Sequence, residues 1–122
     1  MTSDDRNPRD LLPLSPAVFH ILLSLVDGER HGYAIMRDVE ERTGGEVRLG
    51  PGTLYGAIKR LLEQGVVEEL EERPASDAGD ERRRYYRLTG FGRQVVVAEA
   101  ERLERLVRQA QAKKLVPRVD TV

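Results

Sequence analysis

The feature that most constrains the fold is a helix-start signal at residues 49–55, followed later in the chain by a basic segment at residues 82–89. Pro51 lies in a Gly-Pro-Gly turn, and a proline suits the first turn of a helix because the N–H group that it lacks would have no partner there. Along the basic segment, side chains suited to a core alternate with charged ones, as in a strand with one buried face. The two segments therefore predict a helix followed by a β-strand.

The predicted helix after Pro51 has one apolar and one polar face. Leu54, Ile58 and Leu61 recur at helical spacing and face a core. Gly65 ends the helix, as glycine commonly does just beyond the last helical residue. The outer face carries hydroxyl groups and two cations but no acid, and its residues are Thr53, Tyr55, Gly56, Lys59 and Arg60.

A β-hairpin is predicted to follow this helix. Residues 66–73 and 82–88 have the composition of strands, and the turn-forming residues 74–81 lie between them. Alternation in the return strand directs Tyr86 and Leu88 to the core. The opposite, cationic face comprises Arg83, Tyr85 and Arg87.

Two further helices precede this unit. Ser15 and Pro16 are a cap and a first-turn proline, and the apolar stripe that follows them ends before Gly28. A second helix runs from about residue 32 to residue 43, where a pair of glycines ends it. The predicted order is helix, helix, helix and a two-stranded wing, which makes the fold mainly α with a small β-hairpin.

A long helix is predicted at residues 91–112. Its apolar residues recur at alternating spacings of four and three, like the seam of a coiled coil, and such a stripe requires something to pack against. A second copy of the chain is the predicted partner, and the alternative is that the helix folds back on the first helix. The seam consists of Val96, Ala100, Leu103, Val107 and Ala110.

These pieces together resemble the PadR family of transcriptional regulators, which are small bacterial winged helix-turn-helix repressors. The resemblance rests on His-Gly-Tyr at 31–33, Glu-Arg-Thr-Gly-Gly at 41–45, Pro-Gly-Thr-Leu-Tyr at 51–55 and Arg-Tyr-Tyr-Arg-Leu-Thr at 84–89. It implies a homodimer that binds double-stranded DNA at a palindromic promoter operator, with the third helix in the major groove. It also implies release by a small-molecule effector. The chain departs from the family pattern at Gly50 and Gly56, where a serine and a proline are common.

The resemblance and the predicted elements together divide the chain into four parts. They are a flexible N-terminal arm at 1–13, a winged helix-turn-helix domain at 14–89, a dimerisation helix at 90–115 and a tail at 116–122.

The predicted DNA contacts divide into reading and positioning contacts. Thr53, Gly56 and Lys59 are expected near base edges. The residues expected near the phosphate backbone are Tyr33, Tyr55, Arg60, Arg82, Arg83, Arg84 and Arg87. Two alternatives stay open, because Tyr33 could pack against the third helix and Tyr55 could be a half-buried core residue.

The net charge of -1 at pH 7 argues against DNA binding, since such domains are often strongly basic. Residues 82–93 contain five arginines and no acid, whereas residues 66–81 contain seven acids and one arginine. The acids can therefore pair with the arginines across the hairpin. The acidic tip, with Asp77, Asp80 and Glu81, is expected to lie away from DNA. A winged-helix protein-interaction module without specific DNA binding is the competing function.

Other classes of function find little support in the sequence. Cysteine is absent, which excludes disulfides and thiolate metal sites, and no cofactor or metal is expected. His20 is predicted to pack within the first helix. His31 is predicted to cap the second helix or to pack near Tyr33, and a contact with a phosphate is the alternative. No glycine-rich phosphate loop or nucleophile motif is present, so no enzymatic role is predicted. Without a signal-like start or a long apolar run, a cytoplasmic protein away from membranes is expected.

Overall fold

The computed structural model describes residues 6–74 and 82–117, with the side chains of 71–74 and 82–83 left out. The helices in these ranges are α1 (Pro16–Ser24), α2 (Gly32–Arg42), α3 (Pro51–Glu63) and α4 (Gly90–Ala112), after a short 3-10 helix at Pro8–Leu11. The strands are β1 (Arg30–His31), β2 (Val67–Pro74) and β3 (Arg82–Leu88). The predicted mainly α fold with a small wing is therefore confirmed.

The starts of the first two helices are capped by side chains. The Ser15 hydroxyl accepts a hydrogen bond from the N–H of Val18 at 3.2 Å, and His31 Nδ1 accepts one from the N–H of Ala34 at 3.1 Å. Each bond satisfies an N–H group that has no partner within its helix. The predicted cap at Ser15 and the predicted role of His31 are confirmed.

A polar network that is partly open to solvent fastens α1 to α2. Arg42 donates hydrogen bonds to the Asp38 carboxylate at 2.7 Å, to the His20 carbonyl at 2.9 Å and to the Ser24 hydroxyl at 3.0 Å. Burial raises the pKa of Asp38, but the bonds from Arg42 and Ser24 and the nearby charges of Arg42 and Arg30 outweigh it and lower that pKa below its usual value. The network holds the two helices in one orientation.

α3 begins and ends where the sequence predicts. It starts at Pro51 after Gly50, which provides no side-chain cap. Just past its end Gly65 has a φ of 72°, a conformation that glycine adopts without strain. Leu54, Ala57, Ile58 and Leu61 of α3 are buried.

The wing has three strands, in the order β1, β3, β2, with antiparallel pairing throughout. The two-stranded prediction was therefore wrong. β1 contains only Arg30 and His31, opposite Tyr86 and Tyr85, and two residues are too few to show an alternation in sequence.

One apolar core joins the helices to the sheet. Its fully buried members come from α1, α2, α3, the sheet and the start of α4, and they include Ile21, Leu22, Ile35, Val39, Leu54, Val66 and Val95.

Residues 6–13, which the sequence assigns to a flexible arm, are packed on the body of the chain. Leu11 and Leu12 contact the core. The Arg6 guanidinium donates to the Gln64 carbonyl and lies 4.0 Å from the ring centroid of Phe91. The arm prediction was wrong for this segment because the low apolar content of the sequence concealed its few anchoring contacts, and residues 1–5 lie outside the described residues.

α4 has two dissimilar halves. Its first half lies against the body, where Phe91, Val95, Val96, Ala98 and Glu99 are buried, so the predicted seam residue Val96 belongs to the chain's own core. In the second half Leu106 and Val107 are each 47% exposed. The alternative in which the last helix folds back on its own chain therefore holds for the first half of α4 alone. None of the helices in the described ranges has the length and apolar character of a membrane span.

Candidate nucleic-acid interface

The outer face of α3 is exposed along the helix. Lys59 and Arg60 form no ion pair with the part of the chain that the structure describes. Glu63, one helical turn beyond Lys59, is exposed as well, so the prediction of a face without an acid is wrong at its C-terminal end. All the predicted residues of this face are exposed, namely Thr53, Tyr55, Gly56, Lys59 and Arg60.

The ring of Tyr55 lies across the start of α2. A Cβ atom built on Gly32 would lie 2.1 Å from the Tyr55 hydroxyl oxygen, so the ring has room there only because residue 32 is glycine. Gly32 is buried, whereas Tyr55 is 47% exposed. The Tyr55 hydroxyl is therefore held beside the first turn of α2, so Tyr55 is half-buried, as the alternative interpretation allows, while about half of the residue faces solvent.

Tyr33 projects from the first turn of α2 into solvent. It is 55% exposed, which contradicts the alternative that it packs against α3. Its ring is parallel to that of His31, with centroids 6.5 Å apart, and the Arg37 guanidinium lies 5.8 Å from its centroid. Arg37 was not among the predicted site residues, although its position one helical turn after Tyr33 could have identified it.

His31 links the start of α2 to the wing. Besides capping α2, its ring meets Tyr85 edge to face, with centroids 5.5 Å apart, and the two residues are register partners in the sheet. Edge-to-face aromatic pairs favour one relative orientation. His31 therefore fixes the position of the first turn of α2, which carries the exposed Tyr33, relative to β3.

The arginines of β3 with described side chains are paired with acids of β2. Arg87 Nε lies 2.6 Å from a Glu68 carboxylate oxygen, and Arg84 Nε lies 3.7 Å from one of Glu69. Glu68 is directly opposite Arg87 in the register. For these two arginines the structure therefore shows the predicted alternative, in which they pair with acids across the hairpin. The side chains of Arg82 and Arg83 and the acidic tip at 77–81 lie outside the described residues.

The other face of β3 enters the core. Tyr86 is 3% exposed, and burial raises the pKa of its hydroxyl, with the charge of Glu69 adding to the increase. The Tyr86 hydroxyl is therefore neutral and has a structural position, as the alternation predicts.

No arrangement typical of a metal centre occurs in the described ranges, where no three His, Asp or Glu side chains converge. Nδ1 of His20 is buried without a hydrogen-bond partner among the described residues. This places His20 in the packing of α1, as predicted.

Comparison with known proteins gives a match of the transcriptional regulator PadR-like family to residues 21–98. A Streptomyces fradiae protein, described as an uncharacterized 37.1 kDa protein in transposon TN4556, is 42% identical over 86 residues. That alignment covers 70% of this chain and only 22% of the relative's length.

Two solved structures are similar in fold. A PadR family transcription regulator from Clostridium difficile has a TM-score of 0.68 and 24% identity, covering 84% of this chain and 100% of that one. Bacillus subtilis PadR in complex with operator DNA has a TM-score of 0.56 and 24% identity, covering 90% of this chain and 54% of that one. The family match runs from α1 into α4. The chain therefore belongs to the PadR-like family of transcriptional regulators.

Proposed function

We propose that this chain is a homodimeric repressor that binds double-stranded DNA at a palindromic promoter operator in the cytoplasm. The observation that carries the proposal is the outer face of α3, whose cations are free of ion pairs with the described residues and whose Tyr55 reaches the start of α2. A helix with such a face fits the major groove. The similar fold of Bacillus subtilis PadR, determined with operator DNA, supports this proposal.

Within this proposal the exposed residues have separate roles. Thr53, Gly56 and Lys59 approach base edges, while Arg60 contacts a phosphate. The hydroxyls of Tyr33 and Tyr55 donate to phosphates next to the start of α2, where the helix dipole favours an anion.

The hairpin arginines have a secondary role. Exposed ion pairs contribute only about 0–1 kcal/mol, so a phosphate can recruit Arg84 or Arg87 from its carboxylate partner. The same role is proposed for Arg82 and Arg83.

The second half of α4 is the proposed dimer contact. Val107 and its neighbour Leu106 are each 47% exposed, and Ala100, Leu103 and Ala110 extend the same stripe. Exposed apolar stripes on a projecting helix are buried by association. Two-fold symmetry would then present two α3 helices to successive turns of the major groove.

Release by a small molecule is proposed to use a cavity beneath α3. The cavity measures about 180 Å³ and lies between the segment from Leu11 to Val18 and the inner side of α3. A cavity of roughly 150 Å³ is enough to hold benzene. Arg60 and Gln64 line it along with apolar side chains, so a ligand there would touch the DNA-contacting helix directly.

A salt-dependent DNA titration tests the function. The wild-type protein is titrated against duplexes from the region upstream of its gene and against sequences selected from a random pool. Tyr55→Phe removes only the proposed phosphate donor and is expected to weaken binding to all sequences by roughly tenfold for each subunit of the dimer, since hydrogen bonds to charged groups contribute about 1.5–3 kcal/mol. Glu104→Gln, on the exposed surface of α4, is the control and should leave binding unchanged.

The competing function is a protein-interaction module, which the paired hairpin arginines and the near-neutral charge favour. It predicts weak binding without a preferred sequence and with little salt dependence. The repressor predicts a linear fall of log affinity with log salt concentration.

A further inference from the structure

Glu99 is a buried carboxylate on α4 that the proposed DNA interface does not use. It is 1% exposed, and every residue of α4 after it is exposed or half-buried. Glu99 therefore marks the point at which α4 leaves the body that carries α3.

The Glu99 carboxylate accepts three hydrogen bonds, two from within α4 and one from the residue that precedes the cap of α1. Arg102, one turn further along α4, donates from Nε at 2.6 Å and from Nη2 at 2.9 Å. The backbone N–H of Leu14 donates at 3.0 Å, and Leu14 directly precedes Ser15, the cap of α1. The bonds from Arg102 lower the pKa of Glu99, the Leu14 bond adds to this, and burial opposes both. The carboxylate is therefore charged at neutral pH and ties the start of α1 to α4.

Stability alone does not account for a charged group at this position. The desolvation cost of a buried ion pair offsets most of its attraction, and well-packed apolar residues often do as well. The preceding body-facing residues of α4, Phe91, Val95 and Val96, are apolar. What the bidentate pair within α4 adds is a fixed orientation of the Glu99 carboxylate toward the Leu14 N–H, because its parallel hydrogen bonds are directional and apolar contacts are not.

We propose that Glu99 is a positioning residue that sets the direction in which α4 leaves the body, and thereby the separation of the two α3 helices and the half-site spacing of the operator. The inference rests on the dimer of the proposed function. In such a dimer the far half of α4 holds the subunits together, so a change of angle at Glu99 moves both α3 helices. Half-sites one helical turn apart require a separation of about 34 Å.

The direct test measures the distance between the α3 helices without DNA. The chain contains no cysteine, so Glu63→Cys provides one spin-label site per subunit at the exposed end of α3. Pulsed electron resonance on the labelled dimer is expected to give one narrow distance peak. Adding Glu99→Gln, which removes the charge but keeps the shape, should replace that peak by a broad distribution.

Two further variants make the test decisive. Glu104→Gln disrupts the exposed Glu104–Arg108 pair on the same helix and should retain the narrow peak. Arg102→Lys keeps the charge but loses the bidentate geometry, so it should broaden the peak even if Glu99→Gln does not fold. A narrow, unshifted peak in folded Glu99→Gln, or in Arg102→Lys where Glu99→Gln is unfolded, would overturn the proposal.

A DNA experiment tests the consequence for spacing. Duplexes are made from the sequence selected by the wild-type protein, with the half-sites moved apart or together by single base pairs. Glu99→Gln is expected to reduce the preference for the best spacing by roughly fivefold, within the range of about 0.5–2 kcal/mol found for residues that touch neither ligand, while affinity for an isolated half-site is unchanged. An equal loss at every spacing would contradict the inference. A wild-type protein that dimerises with a narrow peak but binds no DNA would instead refute the repressor function alone.

Discussion

α3 and the β2–β3 hairpin both present cations at the surface, but they differ in what surrounds those cations. Lys59 and Arg60 form no ion pair within the described part of the chain. Arg84 and Arg87 each have a carboxylate within 4 Å, at 3.7 and 2.6 Å. The number of arginines in a wing therefore overstates what the wing offers to DNA.

The difference has an energetic consequence. A phosphate that approaches Lys59 or Arg60 gains a charge partner and displaces only water and counterions. A phosphate that approaches Arg87 must also displace Glu68 or accept its repulsion, which lowers the net gain. We therefore assign most of the DNA affinity to α3 and its neighbours.

Lys59→Ala should have the largest effect of a single change. If the ammonium group reads a base edge, its loss costs about 1–3 kcal/mol of discrimination at one base pair. The measurement is affinity for the selected operator and for each single-base variant of it. A uniform loss of affinity across all operator variants would show that Lys59 contacts the DNA backbone and does not read a base.

Gly32→Ala tests the placement of Tyr55. The added methyl group would displace the Tyr55 hydroxyl and the end of the ring that carries it. Because about half of Tyr55 is exposed, the ring can turn outward, so the unfolding free energy should change little. DNA affinity is expected to fall by roughly tenfold for each subunit, because each loses a hydrogen bond to a charged phosphate. Gly90→Ala is the control, since a Cβ atom there meets open space. Unchanged affinity in Gly32→Ala would show that the position of Tyr55 does not matter for binding.

Arg60→Gln should weaken binding to all sequences and lower the steepness of the salt dependence. Each phosphate contact contributes about 0.9 to the slope of log affinity against log salt concentration, and a dimer loses two contacts. Titration at four or more salt concentrations measures the slope. A slope equal to that of the wild-type protein would show that Arg60 does not contact a phosphate.

The smallest effects are expected in the hairpin. Arg87→Gln should weaken binding by less than about threefold, because the exposed pair with Glu68 is worth roughly 0–1 kcal/mol. Glu68→Gln releases Arg87 and should strengthen binding by a similar factor. A tenfold loss in Arg87→Gln would show that the wing contributes as much as α3.

The sequence predicted most of the fold because its signals are local. Ser15 and Pro16 mark the start of α1, Pro51 and Gly65 bound α3, and the spacing of Leu54, Ile58 and Leu61 identifies the buried side of α3. These signals arise from backbone sterics, capping and helical periodicity, which do not depend on the rest of the chain.

What the sequence did not reveal depends on contacts between distant segments. β1 is recognisable only through its pairing with β3, and residues 6–13 pack because Arg6 and Leu11 find partners in α3, α4 and the core. The role of Gly32 follows from the ring of Tyr55, which is far away in sequence. The pairing of Arg87 with Glu68 was foreseen as an alternative, because opposite charges on adjacent strands commonly pair.

The share of the DNA affinity that α3 supplies is measured most directly by comparing two double variants in the same salt titration. One carries Lys59→Gln and Arg60→Gln in α3. The other carries Arg84→Gln and Arg87→Gln in the hairpin. The α3 variant removes two phosphate contacts and two base-reading cations per dimer and should lower the magnitude of the salt slope by roughly 2 or more, while the hairpin variant should change it by less than about 1. If the slope fell mainly in the hairpin variant and stayed close to the wild-type value in the α3 variant, the hairpin and not α3 would supply most of the DNA affinity.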